Sequence, residues 1–336
     1  MRKYMISGVN FIELPRDQEK RNFTNAVVEG LSQPQKILPC RLFYDAAGSH
    51  LFEQICKLPE YYLTRTEQKI LEDNVSEMID TVGQNLALVE FGSGSSIKTR
   101  LFINAALNCQ KNLHYTSVDI SSDFLRAASF SLLNEYGRLS ITAIAAEYND
   151  AIPILPHHEG PRLILFLGSN IGNFGTEEAV AFLGRIANQM NQEDRLLVGF
   201  DLLKYLGVIE AAYNDSAGVT AAFNKNVLVR INRELGGTFV IDDFEHAAPF
   251  VGTHSRIEMR LISRRHQTAY IAASERVFHF ESDEFIHTEN SHKYTIESFV
   301  GICRAAGLEM HAQWLDKNAW FAIALLQKTS LFRDSS

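Results

Sequence analysis

The chain has 336 residues, 46% of them apolar and 21% charged. That is longer than one core ordinarily fills, so two domains are expected in a globular protein. A net charge of −8 argues against a nucleic-acid partner, which needs a concentrated basic surface, and no run of about 18 apolar residues offers a membrane span.

The opening MRKYMISGVNFIELPRDQ lacks a continuous apolar region, so a secretory signal is not expected. Four cysteines, Cys40, Cys56, Cys109 and Cys303, form no C-x-x-C pair. They read as reduced, buried thiols of a cytoplasmic protein. The eleven histidines show no zinc-type spacing, and His157–His158 follows Pro156 in an expected loop, so no metal site is expected.

Residues 15–80 read as helical, with LPEYYLTRTEQKILEDN supplying helix formers after a proline-containing loop. From Leu86 the pattern alternates. Apolar strands are expected at 86–91, 113–120, 139–148, 162–168 and 194–203, separated by helical stretches such as IKTRLFINAALN and TEEAVAFLGRIANQM. Strands apolar throughout and joined by helices imply a parallel sheet covered on both faces. After Lys204 a long helix is expected at 218–236, then two alternating segments at 256–265 and 268–280 that suggest an antiparallel insertion. The tail resumes with a helix at 296–307 and a closing strand pair, LEMHAQWL and WFAIALLQ. Such a pair after five βα units is typical of class I methyltransferases.

VEFGSGSSIKTR (89–100) puts Gly92 and Gly94 between a strand and a helix. The dinucleotide pattern G-x-G-x-x-G fails at its third glycine, where Ile97 stands. Asp119, at the end of the second strand, can accept from both hydroxyls of a ribose. Glu147, followed by Tyr148, ends the third strand, where an adenine would lie. All three features sit at carboxyl ends of strands, where open α/β sheets bind ligands. S-adenosylmethionine has no pyrophosphate and does not need the third glycine, so it is favoured over a nicotinamide dinucleotide.

Six segments together resemble one family: FYDAAGSHLFEQICKLPEYYLTRTE, VEFGSGSSIKTR, FLGSNIGNF, AYNDSAGVTAAFNKNVLVRINREL, RIEM and TENSHKY. They resemble the histidine-specific Nα-methyltransferases of ergothioneine biosynthesis, from about residue 20 to residue 327. The resemblance implies an α/β fold, a class I S-adenosylmethionine-dependent methyltransferase with a doubly wound, mostly parallel sheet and a second α+β substrate-binding domain. Residues 66–203 and 294–336 would form the cofactor domain, and 1–65 and 204–293 the substrate domain. It further implies trimethylation of the L-histidine α-amine to hercynine. Carried over by motif, Gly92, Lys98, Asp119, Glu147 and Tyr148 would contact S-adenosylmethionine. Tyr61, Asn173, Tyr213, Glu289 and Ser291 would contact histidine and its mono- and dimethyl forms. Tyr44 would sit near the transferring methyl group, and Tyr44 or Tyr61 would orient the amine and assist its proton loss. The protein is expected to act as a monomer.

Two positions depart from the family pattern: Glu147 stands where a shorter Asp is usual, and His292 where a small or apolar residue is usual. In an extended HTENSHKY, Glu289 and Ser291 face one side, Asn290 and His292 the other. A carboxylate and a hydroxyl would match the donor and acceptor nitrogens of a neutral imidazole. A methyltransferase for another aromatic amino acid is the competing reading, weakened by Glu289, since an indole or phenol pocket would bury that carboxylate unpaired. A dinucleotide-dependent oxidoreductase and a non-catalytic cofactor-binding module come after it.

Overall fold

The computed structural model describes residues 1–94 and 96–329. Contacts divide the chain into two compact units. The first comprises Met1–Leu14, Leu63–Leu203 and the segment from Lys293; the second comprises Pro15–Tyr62 and Lys204–His292.

The chain opens with β1 (Arg2–Ile6) and β2 (Val9–Glu13), then α1 (Arg16–Leu31), α2 (Ala46–Ile55) and α3 (Tyr62–Asp80). The alternating region follows as β3 (Ala87–Phe91), α4 (Ile97–Cys109), β4 (Leu113–Asp119), α5 (Ser122–Glu135), β5 (Leu139–Ala145) and the short α6 (Tyr148–Ala151). It continues with β6 (Arg162–Phe166), α7 (Thr176–Gln189) and β7 (Arg195–Asp201). The insertion contains α8 (Leu206–Tyr213), α9 (Val219–Leu235), β8 (Phe244–Ala247), β9 (Phe250–Val251), β10 (Arg256–Ser263), β11 (Gln267–Ile271), β12 (Arg276–Phe280) and β13 (Phe285–His292). The chain closes with α10 (Ile296–Ala305), β14 (Leu308–Leu315) and β15 (Phe321–Lys328).

Among the described residues, the first unit builds a nine-stranded sheet in the order β1-β2-β5-β4-β3-β6-β7-β15-β14. Strands β2 to β7 are parallel along this path, and β15 pairs antiparallel with β7. All five residues of β3 are buried, as expected for a strand covered on both faces. Phe91, Phe166, Phe182, Phe200 and Phe299 share its core, with Phe200 and Phe299 stacked at 3.8 Å. Strand order reverses between β3 and β6, which opens the ligand-binding crevice of a doubly wound sheet at their carboxyl ends. This is the class I methyltransferase arrangement expected from the βα alternation and the closing strand pair.

In the second unit, β13, β10 and β8 form one sheet with β9 added to β10, and β11 pairs with β12 in a separate hairpin. Helix α9 packs against α2 and β10.

Several local expectations change. Residues 1–14, expected in the substrate domain, form a hairpin whose β2 pairs in parallel with β5, from Val9↔Ile141 to Glu13↔Ala145. The alternation in VNFIE, with Val9, Phe11 and Ile12 buried, suits an added strand of that sheet. The segment 268–280 is two strands rather than one, because Ala272–Ser274 make a 3-10 turn ending at Glu275 with φ +54°. Strand β5 stops at Ala145, so Glu147 takes the position just before α6 instead of ending the strand. By whole-residue exposure Cys303 is buried, Cys40 and Cys56 are half-buried and Cys109 is exposed, although the Cys40 thiol itself points inward enough to be desolvated. Residues 330–336 of the expected cofactor domain lie outside the described residues. Among the described residues no helix is long and apolar enough to cross a membrane.

Candidate active site

In the first unit the glycine loop follows β3. Gly92 has φ +78° and Gly94 φ +49°, the left-handed region that glycine enters without strain. A Cβ on Gly92 would stand 2.7 Å from the Tyr148 hydroxyl and 2.9 Å from Asn170 Nδ2, so only a glycine lets the backbone approach there. Asp119, last residue of β4, accepts from the Gly94 N–H and the Ser121 N–H, both at 3.0 Å. Burial raises its carboxyl, and these N–H donors oppose the shift. Each carboxylate oxygen keeps acceptor capacity for a further donor. Tyr148, first residue of α6, turns its ring edge-on to Phe91 and Phe166. Asn173 ends the 3-10 turn Asn170–Asn173 that follows β6. Gly92, Asp119, Tyr148 and Asn173 thus all lie at or just beyond carboxyl ends of parallel strands.

Lys98 sits in the first turn of α4, hydrogen-bonded and ion-paired to Glu67 of α3. The Glu67 carboxylate, fully buried, also accepts from the Gly168 N–H at 2.8 and 3.0 Å. Glu90 in β3 receives the Thr99 and Tyr115 hydroxyls, each at 2.6 Å. Burial pushes its carboxyl up to about 7. Lys293 and Asp201 form a fully buried ion pair at 2.9 Å.

In the second unit Tyr213 ends α8, and its hydroxyl lies 2.6 Å from Ser291 Oγ of β13. Both residues are buried, at 5% and 4% exposure. Tyr61 meets Tyr213 edge-on at 6.1 Å, Phe52 lies 6.2 Å from Tyr61, and Tyr44 lies 5.8 Å from Phe52 and 5.7 Å from Phe223. The five rings form one aromatic cluster. Burial drives the Tyr61 phenol well above its ordinary range, with Tyr213, Cys56, Tyr44 and Glu289 adding to the effect. Cys40 is pushed up to about 12, chiefly by burial and then by Glu289. Tyr44 is held because Asp45 caps α2 through the Gly48 N–H and binds Asn226 and Arg233 of α9. Across the ladder Glu289 faces Met259 and Ser291 faces Ile257, whereas Asn290 and His292 face Glu258 and Arg256. Pairing partners share a face, so Glu289 and Ser291 lie on one side of the sheet.

A family model described as histidine-specific methyltransferase, SAM-dependent, matches residues 23–328. The chain belongs to this methyltransferase family. It is 39% identical to the histidine N-alpha-methyltransferase of Mycolicibacterium smegmatis, over 93% of this chain and 97% of that protein. It is 36% identical to the protein of the same name from Mycobacterium tuberculosis, over 90% and 94%. It is 27% identical to an L-tryptophan methyltransferase of Psilocybe serbica, over 90% and 92%.

Within this methyltransferase the nominated residues fall into two groups, each gathered inside its own unit. Gly92, Lys98, Asp119, Glu147, Tyr148 and Asn173 belong to the first unit; Tyr44, Tyr61, Tyr213, Glu289 and Ser291 belong to the second. Sequence reading missed Glu67, Phe52, Glu90 and the Asp201–Lys293 pair. Glu67 carried a usable signal: it lies at helical spacing from Leu63, Ile70 and Leu71, all buried, so a carboxylate stands on an apolar stripe. Phe52 carries no local signal that separates it from ordinary core. Lys293 looked like part of a polar run, and only the fold buries it beside Asp201.

Proposed function

We propose that this methyltransferase transfers three methyl groups in succession from S-adenosylmethionine to the α-amine of L-histidine, giving hercynine, the first step of ergothioneine biosynthesis. The observation that carries the substrate is the Tyr213–Ser291 hydroxyl pair on the same sheet face as Glu289. A carboxylate acceptor and a hydroxyl donor suit the two nitrogens of a neutral imidazole.

The first unit fits the cofactor. Gly92 and Gly94 leave backbone room, Asp119 offers acceptors for ribose hydroxyls, and Tyr148 stands over the loop; we assign the adenine to Glu147 and Tyr148. Lys98 is assigned to the cofactor carboxylate, oriented by Glu67. When bound, S-adenosylmethionine supplies a methyl carbon already activated by its sulfonium. The protein then has to align a neutral amine lone pair and keep water out.

Asn173 is assigned to the substrate carboxylate as an N–H donor, and Tyr213 as an O–H donor; Tyr213 and Ser291 carry one hydroxyl proton each, so on substrate binding each turns its proton to the substrate. Tyr44 and Tyr61 orient the amine. Their ring faces, with Phe52 and Phe223, favour the amine as it turns from neutral to cationic in each methyl transfer, at about 0.5–2 kcal/mol per contact. The raised Tyr61 phenol stays protonated at neutral pH, so Tyr61 acts as a hydrogen-bonding group and water takes the amine proton. Free histidine and its mono- and dimethyl forms are the partners, and we read the protein as a cytoplasmic monomer.

Another aromatic amino acid is the second reading, favoured by the relative named as a tryptophan methyltransferase. Incubation with S-adenosylmethionine and each free amino acid, followed by mass, decides between them. A gain of three methyl groups on histidine supports the first; turnover of tryptophan or tyrosine without histidine product would sink it.

A further inference from the structure

The ladder between β10 and β13 contains one irregularity. Met259 pairs with Glu289 and Arg260 with His287, so Thr288 has no opposite residue. In an unbroken strand Glu289 would share the face of His287, two residues away. The extra residue reverses the parity. His287 stays on the face of Arg260, while Glu289 and Ser291 move to the face of Met259 and Ile257. Bulges commonly re-aim a side chain beside a site in this way.

Three side chains hold the bulge. Thr288 Oγ1 lies 2.7 Å from Asn224 Oδ1 and 3.0 Å from the Met259 carbonyl. Asn224 of α9, with no exposed surface, donates its amide to the Arg260 carbonyl at 3.1 Å and to His246 Nδ1 at 2.9 Å. Met259 and Arg260 are the residues flanking the register break, so Thr288 and Asn224 serve the backbone carbonyls there. His246 Nδ1 accepts from Asn224, so its Nε2 carries the proton and donates to the Tyr213 carbonyl at 2.9 Å. The Tyr213 hydroxyl then returns to Ser291. The path closes on itself: Thr288, Asn224, His246, Tyr213, Ser291 and back along β13.

We propose that Thr288, Asn224 and His246 are positioning residues that fix the face of Glu289 and Ser291 and the distance of Tyr213 from them, and so set recognition of the substrate ring. This inference rests on the assignment of Glu289 and Ser291 to the histidine imidazole.

The test compares Thr288→Val, which keeps shape and removes the hydroxyl, with Thr288→Ser, which restores it. Histidine KM is read with cofactor affinity by calorimetry and with Tm. Loss of one buried hydrogen bond predicts a histidine KM about tenfold higher in Thr288→Val, near the wild-type value in Thr288→Ser, with cofactor affinity unchanged. A Thr288→Val histidine KM equal to wild type would overturn the proposal, as would equal rises for the two variants or a parallel loss of cofactor affinity. If Thr288→Val does not fold, His246→Gln and His246→Met make the same comparison. Gln keeps a donor for the Tyr213 carbonyl and should preserve the histidine KM, Met should raise it, and equal values would overturn the proposal. Failure of the wild-type protein to methylate histidine would instead overturn the functional reading beneath it.

Discussion

A Cβ on Gly199 would stand 2.0 Å from Glu67 Oε1, so β7 carries no side chain where the α3 carboxylate enters the core. That carboxylate holds both Lys98 and the Gly168 N–H. Gly199→Ala forces Glu67 away from both. Overpacking of this kind costs about 1–3 kcal/mol and should lower Tm by several degrees. The same change should weaken S-adenosylmethionine binding, measured by calorimetry, while the histidine KM at saturating cofactor stays near wild type. Normal cofactor affinity in a folded Gly199→Ala protein would contradict the role given to Glu67.

Glu90 makes stability depend on pH. Burial raises its carboxyl from 4.5 to about 7. Between those values the folded state keeps a proton that the unfolded chain has lost, so its contribution to stability falls as pH rises through this window. The full swing is about 3 kcal/mol at about 1.4 kcal/mol per unit. Thermal melts at pH 5 and pH 8 should show a larger drop for wild type than for Glu90→Gln. Identical drops would mean that Glu90 ionises normally.

Glu289→Ala should raise the histidine KM far more than the cofactor KM, by about 10- to 100-fold for a lost charge-assisted hydrogen bond of about 1.5–3 kcal/mol. Glu289→Gln keeps one acceptor and should fall between. Steady-state kinetics with each substrate varied in turn separates the two effects, and equal effects on both would remove the imidazole assignment.

Tyr61→Phe bears on the proton. Burial keeps this phenol protonated well past its ordinary range, so it is not the group whose ionisation limits the rate below neutral pH. The acid limb of the kcat/KM profile should persist in Tyr61→Phe at an unchanged midpoint, with a lower plateau from lost alignment. Disappearance of that limb would identify Tyr61 as the base.

Much of the strand-end geometry of the first unit was legible because its signals are local. Gly92, Gly94 and Asp119 each occupy a strand end that apolar periodicity marks, and the N–H of Gly94 does meet Asp119. The same-face relation of Glu289 and Ser291 also follows from period-two geometry. Glu67 and Phe52 escaped because their partners are distant in sequence, and a carboxylate in a helix or a phenylalanine in an amphipathic stretch has ordinary local explanations.

The sequence by itself determined the alternation of strand and helix, the closing strand pair and the residue types at each strand end, since period and turn chemistry are short-range properties. Only the tertiary structure decided which face HTENSHKY presents, where the N-terminal hairpin docks and which buried charges meet. Those outcomes depend on pairing register and on contacts between distant segments: the bulge at Thr288 turns Glu289 over, β2 joins β5, and Lys293 pairs with Asp201. A one-residue change of register reverses every side chain beyond it, and no local pattern in the chain encodes that step.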